Sequence, residues 1–203
     1  MATSKYKAQF NAWFDPTGRF LASCHIAPNT LTLLGLIFTL ASCAYLIWTE
    51  NVLVFCVLIF VCALFDGLDG AVARASGRVT KFGSYLDAMC DRYMETSVVL
   101  AVAYVTGFWL PSVLIVIGIM NTSYAKARAA MEVPVTNLEW PDLLEKGERG
   151  LIYWLGLILS ELIGRPIFGY DLFYWVLWAL VIGVHFTVIQ RMMRAKKYIE
   201  TRN

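Results

Sequence analysis

Six apolar runs, each near the roughly 20 residues that a membrane-spanning helix needs, decide what this chain can become. The first, about Leu31 to Thr49, carries no charge. The second begins at Val52, is purely apolar only to Phe65, and continues as helix through an Asp-rich stretch to Arg74. The third, Lys81 to Thr106, is again polar in its first half. Pro111 to Ala130, Leu151 to Ile163 and Leu172 to Gln190 complete the set, with Gly107 and Pro111, and Gly164, Pro166 and Gly169, as breakers between runs. Composition agrees: 59% of residues are hydrophobic and 16% charged, where a soluble domain has about 45–50% and about 25%.

The expected fold is therefore an all-α membrane protein with six transmembrane helices. One domain fills residues 1–203: a juxtamembrane segment over 1–30, a six-helix bundle over 31–190 and a cytoplasmic tail over 191–203. In the first segment Phe10, Trp13, Phe14, Phe20 and Leu21 alternate with Lys5, Lys7, Asn11 and Arg19, the pattern of an amphipathic helix at the membrane interface. The polar start, Met1 to Phe14, offers no apolar core for a cleavable signal.

Charge placement gives an orientation. With six spans both ends share one side, and of the 17 Lys and Arg residues only Arg165 falls in an opposite-side loop. The positive-inside rule then puts both termini in the cytoplasm, in a multi-pass protein of the cell membrane. The five cysteines show no metal-binding spacing and read as packing residues; His25 and His185 have no partners in sequence. No nucleic acid is expected among the partners.

Four aspartates interrupt the second and third runs. A carboxylate in hydrocarbon costs about 2.5–3.5 kcal/mol on insertion scales, and four together repel unless a cation stands between them. Asp66, Asp69, Gly70, Ala73 and Arg74 are spaced i, i+3, i+4, i+7 and i+8, one face of a helix. Gly83, Asp87 and Asp91 share a face of the next. Folded across the short 75–82 loop, these faces bring the carboxylates to one cavity open to the cytoplasm. Gly70, Ala73 and Gly83 leave room for a ligand or for close helix packing. Oxygen ligands without His or Cys select a hard ion, Mg2+ or Mn2+, and a pair of ions suits a phosphoryl displacement. Arg74 is placed to meet a phosphate or to snorkel to the lipid surface.

These residues form the pattern D-x2-D-G-x2-A-R-x8-G-x3-D-x3-D with every fixed position filled, so the chain resembles the CDP-alcohol phosphotransferase family. Pro28-Asn29-Thr30-Leu31-Thr32 looks like that family's common entry to the first span. The resemblance implies transfer of a phosphatidyl group from a CDP-linked lipid to an alcohol, with release of CMP. It implies Asp66, Asp69 and Asp87 as metal ligands, Asp91 on the second ion, and Asp91 also as the general base. It implies a CDP-lipid site at Gly70, Ala73, Arg74, Thr80 and Gly83, with Asn29, Thr30, Leu31 and Thr32 near the nucleotide. A homodimer through the spanning helices is a further family expectation.

The acceptor is read from the remaining cations. Lys126, Arg128, Arg149 and Arg191 fall at the cytoplasmic ends of three helices, and such a ring suits a phosphorylated alcohol. Tyr124-Ala-Lys126-Ala-Arg128 and Glu145-Lys-Gly-Glu148-Arg149 resemble the phosphatidylinositol-phosphate synthase branch, whose acceptor is inositol 1-phosphate. That resemblance assigns the acceptor phosphate to Lys126, Arg149 and Arg191. Gly147 departs from the branch, which often has Pro in that segment. Glycerol 3-phosphate is the alternative acceptor, and diacyl and archaeal ether lipids present the same diphosphate. Glu95, outside the pattern, reads as a partner of Arg92. A cation- or proton-coupled transporter is the competing class, since intramembrane carboxylates mark those too, but no inverted repeat or broken helix supports it.

Overall fold

The structure is a computed structural model that describes residues 14–132 and 144–202. It is helical throughout these residues apart from turns and one isolated antiparallel bridge, Ile167 to Tyr170. Residues 14–23 form α1. There follow α2 (Pro28–Thr49), α3 (Val52–Ala75), α4 (Lys81–Thr106), α5 (Trp109–Glu132), α6 (Lys146–Ile163) and α7 (Leu172–Arg202). Residues 1–13, with Phe10, Trp13 and the two lysines of the expected interfacial helix, lie outside the described residues.

Among the described residues, α2, α3, α5 and α7 are long and apolar enough to cross a membrane. The other two expected spans exist as helices but carry charge: α4 holds Asp87, Asp91, Arg92 and Glu95, and α6 opens with Lys146, Glu148 and Arg149. Large apolar side chains such as Ile37, Val57 and Ile182 stand exposed on these helices, the inverse of a water-soluble surface. The inward face of α2 is mostly small: it buries Gly35, Thr39, Ser42 and Cys43 between Leu31 and Leu46. Without a hydrophobic drive between helices in lipid, small residues let backbones approach and gain van der Waals contact.

The ends of the helices follow local chemistry. Glu50 closes α2 in the left-handed conformation (φ 54°) with its N–H on the Leu46 carbonyl, and Asn51 opens α3 by accepting from the Val54 N–H at 3.1 Å. Gly107 and Gly164 adopt positive φ where α4 and α6 stop. Pro111, expected as a breaker, sits in the first turn of α5, where a missing N–H costs nothing. Residues 191–202, within the expected cytoplasmic tail, continue α7 to Arg202. No Pro or Gly interrupts them, and Lys196 pairs with Glu200 one turn on.

The chain packs as two compact units, 1–101 and 102–203, divided within α4. In the first, α2 and α3 run antiparallel: Thr32 meets Asp69, Gly35 meets Phe65, and Ser42 meets Cys62. In the second, α7 packs along both α5 and α6. His185 Nε2 lies 3.1 Å from the Leu114 carbonyl, which gives this lone histidine a structural partner. Val176 fills the space above Gly156. Of the five cysteines, Cys43, Cys56, Cys62 and Cys90 are buried and Cys24 is exposed.

Candidate active site

The cavity of the first unit begins with how α3 ends. Gly77 takes φ 65° while the Arg78 N–H returns to the Ala73 carbonyl at 3.1 Å and the Gly77 N–H to that of Arg74 at 3.3 Å. This glycine-closed cap satisfies two orphan carbonyls and turns the chain back toward α4. Thr80 then caps α4, its Oγ1 accepting the Gly83 N–H at 2.9 Å.

Gly83 has a second reason. A Cβ there would stand 3.0 Å from Thr80 Oγ1 and 3.1 Å from Asn29 Oδ1. Its absence lets the start of α4 lie against the start of α2, so two helix N-termini converge. At the α2 terminus Ala27 offers no side-chain cap. Helix N-termini carry partial positive charge and free N–H groups, the usual ingredients of a phosphate site.

Between them lies a cavity of about 230 Å³. Asn29, Thr32, Thr80 and Gly83 line it from the α2 and α4 termini. Asp69, Gly70, Ala73 and Arg74 line it from α3, Arg78 from the turn, and Asp87 from α4. The two faces read from sequence thus do meet, and carboxylates and guanidinium groups share one concavity.

Asp69 is only 8% exposed, and its Oδ2 accepts a 2.6 Å hydrogen bond from the Thr32 hydroxyl. That hydroxyl satisfies a lone pair but supplies no positive charge. Asp91, 9% exposed, lies one turn along α4 from Asp87 and does not line the cavity itself. Arg92 approaches Asp91 at 3.8 Å and binds Glu95 more closely, at 2.9 Å, so Glu95 is a partner of Arg92 as expected. Asp66 is helical, but its side chain lies outside the described residues. Among the described residues no three His, Cys, Asp or Glu side chains stand close enough to hold a metal ion. The donor chemistry nonetheless fits a hard divalent cation: Asp69 and Asp87 are carboxylates lining one cavity, with no His or Cys among its described lining residues.

Of the four residues expected near the nucleotide, two line the cavity. Asn29 and Thr32, three apart, face the cavity. Leu31 points into the core and Thr30 outward, because residues one and two along a helix from Asn29 turn away from its face. Arg78, Val79 and Ser84 line the cavity without having been anticipated. The signal for Arg78 was Gly77, whose left-handed turn folds the chain back at that point.

In the second unit, Glu145 and Glu148 form a capping box at the start of α6, with the Glu145 N–H donating to Glu148 Oε2 at 3.1 Å. One residue on, Arg149 is 6% exposed. Arg191 reaches from α7 to the Thr122 carbonyl on α5, one turn before half-buried Lys126. Arg128 is engaged on the exposed face with Glu132 at 2.6 Å.

Comparison with known proteins gives this geometry its context. The chain is 32% identical to the archaetidylinositol phosphate synthase of Pyrococcus horikoshii over 97% of its own length and 98% of that protein's. It is 32% identical to the phosphatidylinositol phosphate synthase of Corynebacterium glutamicum over 90% of this chain and 84% of that one. The crystal structure of Mycobacterium tuberculosis phosphatidylinositol phosphate synthase with CDP-DAG bound superposes with a TM-score of 0.78 and 25% identity, covering 90% of this chain and 92% of that one. The same enzyme in complex with manganese and citrate also superposes at 0.78, covering 90% and 88%. Residues 25–189, spanning both units, match the CDP-alcohol phosphatidyltransferase family, and the chain belongs to that family.

Proposed function

We propose that the chain transfers a phosphatidyl-type group from a CDP-linked lipid to inositol 1-phosphate, releasing CMP and forming a phosphatidylinositol-phosphate-type lipid. The observation that carries this is the cavity where two helix N-termini, Arg74 and Arg78 face Asp69 and Asp87. An anion site beside an acidic site suits a diphosphate that arrives with a divalent cation. The similar synthases named above support the choice of acceptor, and the bound CDP-DAG of the mycobacterial enzyme supports the donor.

In this mechanism Asn29, Thr32 and the α2 terminus receive the nucleotide end of the donor, while Arg74, Thr80 and the room left by Gly70, Ala73 and Gly83 accommodate its diphosphate. Asp66, Asp69, Asp87 and Asp91 would hold Mg2+ or Mn2+, as a pair of ions. When bound, the metal withdraws charge from the diphosphate and stabilises the leaving CMP. The manganese complex of the mycobacterial synthase supports a metal here. Asp91 takes the proton of the acceptor hydroxyl as its oxygen attacks the lipid-side phosphorus. The phosphorus–oxygen bond to CMP then breaks. Lys126, Arg149 and Arg191 bind the phosphate already on the acceptor, for which Arg and Lys are the usual partners.

All six long helices α2 to α7 span the bilayer in this reading, with α1 at the interface and both termini and the site on the cytoplasmic side. The protein acts as a homodimer. The polar halves of α4 and α6 cross because their charges face inward, as Arg149 and Asp91 do by burial.

The test is CMP release by purified protein with CDP-diacylglycerol or CDP-archaeol, Mg2+, and a panel of inositol 1-phosphate, glycerol 3-phosphate, inositol and serine. Release with inositol 1-phosphate alone is the expected result. Preference for glycerol 3-phosphate would reassign the acceptor and leave the chemistry intact, and no release with any alcohol would overturn the function.

A further inference from the structure

We propose that Asp15, on α1 and outside the family pattern, is a positioning residue for the CDP-lipid site, so that the docked α1 completes that site. This rests on the reading of Arg74 as a ligand of the diphosphate. Asp15 Oδ1 lies 3.2 Å from one terminal nitrogen of Arg74. The other terminal nitrogen lies 3.4 Å from the point where a Cβ on Gly70 would stand. The guanidinium thus meets Asp15 through one terminal nitrogen and lies over a bare glycine, at the cavity that Arg74 and Gly70 both line.

Asp15 is held in place by a close approach of two helices. A Cβ on Gly18 would stand 2.7 Å from the Ala71 Cβ and 2.8 Å from its carbonyl carbon, so only glycine permits this spacing. One turn earlier, the Phe14 ring stands 3.0–3.2 Å from the Cβ point of Gly67. Phe14, Asp15 and Gly18 thus dock α1 on the stretch of α3 that carries the aspartates. An arginine has many rotamers, and one held in its binding geometry loses less freedom when the ligand arrives. A carboxylate beside it also lowers its net charge, so the two effects have opposite signs on diphosphate affinity. The glycine-limited docking favours the orienting effect.

The test is equilibrium binding of CDP-diacylglycerol to the purified full chain with Mg2+, together with KM values for both substrates. Asp15→Ala should weaken CDP-lipid binding by up to about fivefold, the scale of an ion pair whose side chains are both nearly half exposed. The KM for inositol 1-phosphate should not move. Asp15→Asn, which keeps an acceptor oxygen, should restore most of the affinity. Gly18→Ala should reproduce the Asp15→Ala defect without touching either charged group. In an Arg74→Ala background Asp15→Ala should add nothing. Unchanged or tighter CDP-lipid binding in Asp15→Ala, while Arg74→Ala alone weakens it, would overturn this proposal and leave the donor site standing. If Arg74→Ala itself leaves affinity unchanged, the assignment of Arg74 fails and this proposal with it.

Discussion

Thr32 and Asp69 meet at 2.6 Å across α2 and α3 and show how a neutral side chain can govern a charged one. Groups that orient a metal-binding carboxylate typically matter 10- to 100-fold in metal affinity. Thr32→Val should therefore raise the Mg2+ concentration for half-maximal CMP release on the order of tenfold, and Thr32→Ser should restore it. Asp91→Asn should abolish CMP release while the protein keeps its elution profile and helical circular dichroism; full activity would remove the base assignment. Arg149→Ala or Arg191→Ala should raise the KM for inositol 1-phosphate far more than that for CDP-lipid, and equal effects would indicate loss of structure instead. Asp69 and Asp87 line the cavity beside the helix-mates that sequence assigned to their faces, because i, i+3 and i+4 spacing is a local property of a helix. The Arg74–Asp15 pair was not legible in the sequence: its partners are 59 residues apart, and no spacing rule links them.

Among the helices, the termini of α2 and α4 set the shape of the cavity. Gly83→Ala should force Thr80 and Asn29 apart by a few tenths of an ångström and weaken CDP-lipid binding, with little effect on the KM of the acceptor, as measured by the same binding assay. All six long helices were legible as apolar runs, and Lys81–Thr106 was placed to the residue. Where the reading slipped, the cause was physical. Polar residues at helix ends, such as Lys146 to Gly150, carry no hydropathy signal although a capping box winds them into α6. Past Gln190 the apolar pattern ends but the hydrogen-bonded ladder does not, so α7 continues to Arg202. That Asn29 and Thr32 line the cavity while Thr30 and Leu31 do not follows from helix phase, which a sequence motif alone does not display.

For the molecule in its membrane, chelation and sidedness are the open measurements. EDTA should stop CMP release, and added Mg2+ or Mn2+ should restore it; activity that survives exhaustive chelation would refute metal dependence. Cys24 is exposed while the other four cysteines are buried, so a membrane-impermeant maleimide should label the native chain in inside-out vesicles and not in intact cells. Labelling from outside would invert the proposed topology. The link between α2 and α3 is short. It consists of Glu50 and Asn51 alone, and each already serves as a helix cap. Such a link has no slack to absorb an insertion. One added amino acid would rotate α3 by about 100° against its neighbour. Thr32 would then face the wrong side of that helix, and Asp69 would swing out of phase with the rest of the cavity wall. This two-residue connection, at the far end of the hairpin from the cavity, is therefore the ratchet that keeps its walls in step.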